Sequence, residues 1–150
     1  MKKYKILFVC HGNICRSPMA EFIFKNIVKN AGRTEEFEIS SLATSTEEIG
    51  HDMYTPAKKC LEKHGIPFTR HTARQITIED YCYFDYIFAM DRNNLRWLKM
   101  LGIEDKSKKI QLIMNLIGED RDVDDPWYTN NFERTYLDLS NALPKILKLK

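Results

Sequence analysis

The segment 10–17, Cys-His-Gly-Asn-Ile-Cys-Arg-Ser, constrains the fold of this chain more than any other stretch. It follows an apolar run at 6–9 and precedes Pro18 and a segment with helical periodicity. A loop between a strand and a helix N-terminus directs its backbone amides at one point, where the partial positive charge of the helix also acts. The pattern therefore predicts an anion-binding loop, with Cys10 at its base as a thiolate and Arg16 beside it.

Single residues of this loop fit the same interpretation. Gly12 allows close approach of the backbone, and Asn13 tolerates a left-handed turn. Ser17 and Pro18 fit an N-cap and the first position of a helix. The alternative, a purely structural strand–turn–helix unit with a buried cysteine, stays open at this point.

Apolar runs and helical periodicity alternate along the rest of the sequence. Strands are predicted at 5–10, 37–44, 86–90 and 109–114, with a helical alternative for 112–117. Helices are predicted at 18–30, at 55–65, as a short turn from Thr77, at 91–101, and from Thr129 or Asn131 to 149 with a bend at Pro144. This alternation predicts a single α/β domain over residues 1–150. It would have three layers, with helices on both faces of a four-stranded, parallel, twisted sheet and the anion loop after the first strand.

The composition limits the expected partners and location. The formal net charge of +2 gives no electrostatic argument for binding nucleic acid or a membrane. No stretch approaches the roughly 20 apolar residues of a transmembrane helix, and the first apolar run is too short for a signal peptide. The four cysteines are irregularly spaced and form no Cys/His set with zinc spacing, which favours reduced thiols. We expect a cytoplasmic, monomeric protein without a cofactor or a metal.

Two loops follow predicted strands and should lie over the anion site if the sheet is parallel, namely 44–55 and 118–131. The second contains the run Asp-Val-Asp-Asp-Pro-Trp-Tyr at 122–128. A solvated surface is one alternative for these acids. A calcium site is another, but the glycine and terminal glutamate of an EF-hand are missing. An acid followed by proline and two aromatic rings predicts instead that Asp125 lies over Cys10, with the rings beside it for an aromatic substrate.

These motifs resemble the low-molecular-weight protein tyrosine phosphatases. Segment 9–18 is similar to the phosphate loop of that family, and segment 125–128 is similar to its general-acid loop. Several independent motifs in register make the resemblance specific, and it covers nearly the whole chain. The further matching segments are His-Gly-Ile at 64–66, His-Thr-Ala-Arg-Gln at 71–75, Phe-Asp-Tyr-Ile at 84–87 and Met-Asp at 90–91.

The resemblance implies an enzyme that hydrolyses phosphotyrosine in proteins, or small aryl phosphates, through a phosphocysteine. Cys10 would attack phosphorus, Arg16 would hold the phosphate oxygens, and Asp125 would protonate the leaving phenolate and then activate water. Because Asp125 must be protonated while Cys10 is ionised, we expect a bell-shaped pH profile with an acidic optimum. The residues implied to bind phosphate are His11, Gly12, Asn13, Ile14, Cys15 and Arg16.

The resemblance also implies residues that support the loop in a strained, anion-ready form. One of them, Ser17, would hydrogen-bond the nucleophilic sulfur. Cys15 has two interpretations, either a small buried loop residue or the partner that forms a reversible disulfide with Cys10 under oxidation. The residues assigned to loop support are Asn13, Ser17, Ser41 and His71.

The chain departs from the family pattern at the rim of the predicted cleft. Glu47 stands where an aromatic wall is usual, Trp127 where tyrosine is common, and Thr129 where glycine is frequent. We expect Trp127 and Tyr128 to stack on the phenol ring and Glu47 to favour basic residues beside the phosphotyrosine. The alternative is that Glu47 simply points to water.

Three other functions compete with this one. A phosphatase that acts mainly on small acyl or sugar phosphates is the first, and it stays open. Thioredoxin-coupled arsenate reductases share the fold and loop, but they need two further cysteines on a downstream flexible segment. In that region this chain has Cys82, while Ala89 lies inside the next predicted strand. A non-catalytic phosphotyrosine-binding module is expected to lack the nucleophile, the arginine or the acid, and all three are present here.

Overall fold

A parallel sheet forms the centre of the protein in the computed structural model, which describes residues 3–149. The strands are β1 (Tyr4–Cys10), β2 (Phe37–Ala43), β3 (Tyr86–Ala89) and β4 (Ile110–Leu112). Their order in the sheet is β2-β1-β3-β4, and every neighbouring pair is parallel. The predicted four-stranded parallel sheet is confirmed. The ends of the predicted domain, residues 1–2 and 150, lie outside the described residues.

Helices connect these strands. Two predicted helix starts are confirmed, because the side chains of Thr77 and Asp91 each form a capping box. Within the described range, no helix is long and apolar enough to cross a membrane. The α-helices are α1 (Arg16–Asn30), α2 (Thr55–Lys63), α3 (Ile78–Tyr83), α4 (Arg92–Met100), α5 (Pro126–Thr129) and α6 (Phe132–Ala142), and 3-10 helices occur at Thr34–Glu36, Ile113–Ile117 and Leu143–Lys148.

Strand β1 is buried on both faces. Ile6 and Phe8 belong to one apolar cluster, which includes side chains of α1 and α6. Leu7 and Val9 belong to another cluster, which includes side chains of α3 and α4. Successive residues of a strand point to opposite faces, so the two clusters lie on opposite sides of the sheet. The predicted arrangement with helices on both faces is confirmed.

The strand order places a crevice at the end of β1. Strand β2 lies on one side of β1 and β3 lies on the other, so the connections leave β1 in opposite directions. In a parallel sheet the carboxyl ends of all strands meet at one edge, and ligands bind where the strand order reverses. Cys10 is the last residue of β1 and therefore lies at this switch point.

The start of α1 differs from the prediction. We predicted Ser17 as the N-cap, but the helix begins at Arg16, and its N-cap, Cys15, makes no side-chain hydrogen bond. The Ser17 hydroxyl is directed at the loop instead, where it contacts the Cys10 sulfur and the Asn13 side chain. No side chain caps this first turn, and its Ser17 amide N–H donates to the Cys10 sulfur.

The boundaries also shift elsewhere. Strand β4 ends at Leu112, because its partner residue Ala89 is the last residue of β3, and a 3-10 helix follows. Both interpretations of 112–117 were therefore partly right. The start of α2 is also shifted, with Tyr54 rather than Thr55 as the N-cap. The last helix begins after Asn131 and changes to a 3-10 helix around Pro144, which has no amide hydrogen to donate.

Candidate active site

A cleft opens over the loop between β1 and α1. The loop that follows β2 and the loop around α5 form its walls. The structure thus brings together residues from three parts of the sequence that were predicted to meet. The lining residues are Cys10, His11, Gly12, Ile14, Cys15, Arg16, Glu47, Glu48, Asp125, Trp127 and Tyr128.

The sulfur of Cys10 lies at the buried base of the cleft. Its Sγ is 3.0 Å from Ser17 Oγ, and the backbone N–H of Ser17 donates to the same sulfur at 3.4 Å. Both groups can donate a hydrogen bond to the sulfur when it is a thiolate. Only 3% of Cys10 is exposed, which restricts access to ligands that enter the cleft.

Arg16 is buried beside this sulfur and is held by backbone and side-chain acceptors. Its Nη1 donates to Asp91 Oδ2 at 2.6 Å and to the Val123 carbonyl at 2.8 Å. Burial alone would lower the pKa of Arg16, but the charges of Cys10, Asp91 and Asp125 outweigh it and raise that pKa above its usual value. The guanidinium is therefore charged and fixed in one orientation.

Asp91 uses both of its carboxylate oxygens. Oδ1 accepts the Asn94 backbone N–H at 2.8 Å and so caps α4, while Oδ2 accepts from Arg16. Asp91 lies in a segment that matches the family pattern and at a predicted helix start, but its contact with Arg16 was not predicted. The signal that was available is its position at the end of β3, the strand beside β1.

Asp125 is the N-cap of α5 and faces the arginine. Its Oδ1 accepts the Trp127 backbone N–H at 3.0 Å, and its Oδ2 lies 3.4 Å from Arg16 Nη2. Pro126 starts the helix, where its missing N–H costs no hydrogen bond. The structure thus brings the carboxyl group of Asp125 to the same cleft as Cys10, across more than a hundred residues of sequence.

A buried polar network lies behind the loop. Asn13, at φ +60°, donates from Nδ2 to Ser17 Oγ at 2.8 Å and to Ser41 Oγ at 3.0 Å. His71 Nε2 lies 2.8 Å from the Asn13 carbonyl and 3.0 Å from its side-chain oxygen. The Ser41 hydroxyl in turn donates to Glu21 at 2.7 Å. The left-handed turn is therefore held by side chains from α1, from β2 and from the segment after α2.

Sequence reasoning missed two acids that hold this network in place. Glu21 accepts from Ser41, and Asp52 accepts the His71 backbone N–H at 2.9 Å and the Lys58 ammonium at 2.6 Å. Burial alone would raise the pKa of Asp52, but these hydrogen bonds and that of Met53 lower it to about 2. Asp52 is therefore a charged anchor for the segment that carries His71.

Known proteins of similar sequence belong to one phosphatase family. The family model described as "Low molecular weight phosphotyrosine protein phosphatase" matches residues 5–149. The chain belongs to that family. The human low molecular weight phosphotyrosine protein phosphatase is 41% identical over 138 residues, which are 87% of this chain and 85% of the human protein.

Solved structures give the same result for the fold of this phosphatase. YfkJ from Bacillus subtilis superposes with a TM-score of 0.92 at 33% identity, covering 97% of this chain and 93% of that chain. A Drosophila protein described as an arginine phosphatase superposes with a TM-score of 0.85 at 32% identity, covering 96% of both chains.

Glu47 lies at the rim of the phosphatase cleft and makes a contact that the sequence did not predict. Its Oε2 lies 2.9 Å from His11 Nε2, so the carboxylate is tied to the phosphate loop. The Glu47 side chain is nevertheless 68% exposed, and it still lines the cleft. His11 is held in turn by an edge contact with Trp97, with ring centroids 5.6 Å apart. The His11–Glu47 pair was not visible in the sequence because 36 residues separate the two side chains.

The aromatic rim of the phosphatase is built by Trp127 and Tyr128, which are 52% and 83% exposed. The Trp127 ring contacts Tyr54, with centroids 4.8 Å apart. Tyr54 precedes α2 and belongs to loop 44–55, which was predicted over the site, but its contact with Trp127 was not predicted. Trp127 is therefore supported from behind, while Tyr128 extends into solvent.

The second cysteine of the loop, Cys15, is buried. Burial raises the pKa of its thiol, and the neighbouring charges of Cys10 and Asp125 raise it further. Cys15 is therefore a neutral thiol next to the nucleophile. All four cysteines of the chain are free in the structure.

Proposed function

We propose that this protein hydrolyses phosphotyrosine and other aryl phosphate monoesters through a phosphocysteine on Cys10. The observation that carries the proposal is the convergence of Cys10, Arg16 and Asp125 in one cleft. These are a nucleophile, an anion clamp and a proton donor, and each has a different role in phosphoryl transfer. Membership of a phosphatase family supports the same conclusion.

In the first step the Cys10 thiolate attacks phosphorus in line, and the bond from phosphorus to the phenolic oxygen breaks. Asp125 gives its proton to the departing phenolate. Nη1 of Arg16 donates its hydrogen bonds to Asp91 and to the Val123 carbonyl. The other N–H groups of the planar guanidinium then bind the equatorial phosphate oxygens. Lysine offers a single point charge and lacks this geometry.

In the second step water attacks the phosphocysteine and the sulfur–phosphorus bond breaks. Asp125 accepts a proton from that water, and Cys10 leaves as a thiolate beside the Ser17 donors. The products are inorganic phosphate and the starting enzyme, and no cofactor is needed. Because Asp125 acts first as an acid while Cys10 is ionised, the pH profile is bell-shaped with an acidic optimum.

The substrate class is tested with a panel of phosphate compounds. We expect hydrolysis of p-nitrophenyl phosphate and a phosphotyrosine peptide, and only background rates with phosphoserine and with thioredoxin-coupled arsenate reduction. Faster hydrolysis of a phosphoarginine peptide than of the phosphotyrosine peptide would overturn the substrate class but leave the phosphocysteine step intact. Robust arsenate turnover without aryl phosphate hydrolysis would overturn the phosphatase assignment itself.

We propose that the network around Asn13 holds the loop in its anion-binding form. Asn13→Ala removes the side-chain hydrogen bonds and leaves a residue that adopts φ +60° unfavourably. We expect a loss of about 2–3 kcal/mol in the free energy of unfolding and of roughly 10- to 100-fold in kcat/KM. Asn13→Gly removes the same hydrogen bonds without the backbone cost, so it separates the two effects. Parental activity in Asn13→Gly would show that the hydrogen bonds do not support the loop.

We propose that Glu47 favours basic residues beside the phosphotyrosine. The carboxylate is mostly exposed and lines the cleft, although His11 holds one of its oxygens. Glu47→Gln is expected to lower the preference for a basic over an acidic phosphopeptide by about threefold in kcat/KM, because an exposed ion pair contributes little. Glu35→Gln makes the same charge change on the exposed 3-10 helix Thr34–Glu36 and should leave the preference unchanged. An unchanged ratio in Glu47→Gln would refute the role.

We propose that Cys15 protects Cys10 from irreversible oxidation. Peroxide converts the Cys10 thiolate to a sulfenic acid, and the Cys15 thiol then displaces water to form a disulfide that dithiothreitol reduces. In Cys15→Ser we expect most of the activity lost to peroxide to be unrecoverable with dithiothreitol, whereas Cys82→Ser recovers like the parent. Equal recovery in Cys15→Ser and the parent would leave Cys15 as a packing residue.

We infer one catalytic domain that works as a monomer in the cytoplasm on phosphotyrosine proteins or small aryl phosphates. The small net charge supports a protein that binds neither nucleic acid nor a membrane.

A further inference from the structure

Three side chains with metal-binding donors meet where the end of α2 faces the start of α6. They are Cys60, His64 and Glu133, and their donor atoms all lie within 4.8 Å of one another. His64 Nε2 is 2.5 Å from Glu133 Oε1, and Cys60 Sγ is 3.9 Å from Glu133 Oε2. None of the three lines the catalytic cleft.

Local structure explains why these groups converge. Cys60 is in the second turn of α2 and His64 is its C-cap, so the two are four positions apart and share one face. Glu133 is in the first turn of α6, which packs against α2. The sequence shows no zinc spacing because the third group is a carboxylate that lies 69 residues beyond His64.

We propose that Cys60, His64 and Glu133 form a binding site for a zinc-type divalent cation. A thiolate, an imidazole and a carboxylate suit Zn²⁺, whereas Ca²⁺ and Mg²⁺ prefer oxygen donors alone. Two negative ligands balance the charge of the cation, and water completes four-coordination. Binding releases the Cys60 proton to solvent, so the affinity rises with pH.

The surroundings fit a metal site that exchanges with solvent. Cys60 is the buried inner ligand at 7% exposure, while the side chains of His64 and Glu133 are 24% and 41% exposed and leave an entry path. The His64 ring is stacked on Tyr136 at 3.7 Å, almost parallel to it, which fixes the direction of the imidazole.

The competing explanation is an ion pair between His64 and Glu133, which Lys63 joins at 3.7 Å. In that explanation the buried Cys60 thiol only donates to the Phe132 carbonyl, at 3.6 Å, and takes no part in the pair. The chain contains a matched control, because His51 Nδ1 and Glu48 Oε2 are also 2.5 Å apart on an exposed surface. The dependence on Cys60 therefore separates a metal site from an ion pair.

The test is a Co²⁺ titration of the full chain carrying Cys10→Ser, which removes the catalytic thiolate as a competing ligand. We expect a thiolate-to-cobalt charge-transfer band that saturates at one equivalent and is displaced by Zn²⁺. Cys60→Ser, introduced into the same Cys10→Ser chain, should abolish the band. Loss of a residue that only hydrogen-bonds a metal ligand weakens metal binding roughly 10- to 100-fold. His64→Gln and Glu133→Gln should each weaken Co²⁺ binding by more than this. His51→Gln and Cys82→Ser should leave the titration unchanged.

Thermal unfolding gives a second measurement. Zn²⁺ at about 100 times its Kd should raise the Tm of the Cys10→Ser chain by roughly 5 °C or more, and this rise should be absent in the His64→Gln variant. His64 is partly exposed, so this variant keeps the test valid if Cys60→Ser fails to fold. No charge-transfer band in Cys10→Ser, a band that survives Cys60→Ser, or an equal Tm rise in His64→Gln would each overturn the site.

Discussion

Replacement of Cys10 by serine abolishes hydrolysis of p-nitrophenyl phosphate, with an expected loss in kcat of roughly ten-thousandfold or more. Serine retains the shape of the side chain, but its hydroxyl does not ionise under these conditions, and Asp125 must keep its proton for the leaving phenolate rather than activate the hydroxyl. Arg16 and the loop amides remain in place, so binding of inorganic phosphate should be retained. Competition by phosphate against a fluorescent ligand of the cleft measures this directly.

The matched control for this change is Cys82→Ser, which replaces an exposed thiol outside the cleft. It should leave kcat and KM unchanged. Hydrolysis by Cys10→Ser at more than a few per cent of the parental rate would contradict the phosphocysteine intermediate. Failure to trap a phosphoenzyme in the parent by rapid acid quench would contradict it as well.

Replacement of Asp125 by asparagine is expected to lower kcat for phenyl phosphate by roughly 10²- to 10⁴-fold. Asparagine also caps helices, so the hydrogen bond to the Trp127 amide and the turn of α5 should survive. The loss then reports proton transfer rather than folding. With p-nitrophenyl phosphate the loss should be smaller, because p-nitrophenolate leaves more readily without a proton.

The pH profile separates this role from a merely structural one. Activity falls at alkaline pH when the acid has lost its proton, so Asp125→Asn should lose that descending limb while keeping the acidic limb. Asp124→Asn makes the same change on the adjacent exposed residue and should retain the bell-shaped profile. Equal losses for phenyl and p-nitrophenyl phosphate, or an unchanged profile, would exclude Asp125 as the general acid.

The local part of this site was predictable from the sequence. The unit from β1 through the loop to α1 is continuous, so apolar patterning and turn residues were sufficient to place Cys10, Asn13 and Arg16. The position of Asp125 followed from the topology, because loops after parallel strands meet at one edge of the sheet. The structure brings Cys10, Arg16 and Asp125 into the cleft at that edge, with Asn13 buried behind the loop.

Contacts between distant side chains were not predictable in the same way. The pairing of Glu47 with His11 and the support of Trp127 by Tyr54 depend on tertiary packing, and no local pattern encodes it. Helix propensity also misplaced Ser17, because its hydroxyl bonds to the sulfur of Cys10 rather than to a helix amide. At this position the serine hydroxyl supports the anion-binding loop instead of capping the helix.

The carboxylate of Asp91 has a consequence for how the enzyme acquires its activity. It joins the end of β3 to Arg16, and the same guanidinium is held by the Val123 carbonyl from the segment after β4. A chain in which β1 had paired with β2 alone would contain the nucleophile, but its arginine would have neither acceptor. The return of catalytic activity during refolding therefore reports when the sheet is complete. It should occur later than any optical signal that reports only the pairing of β1 with β2.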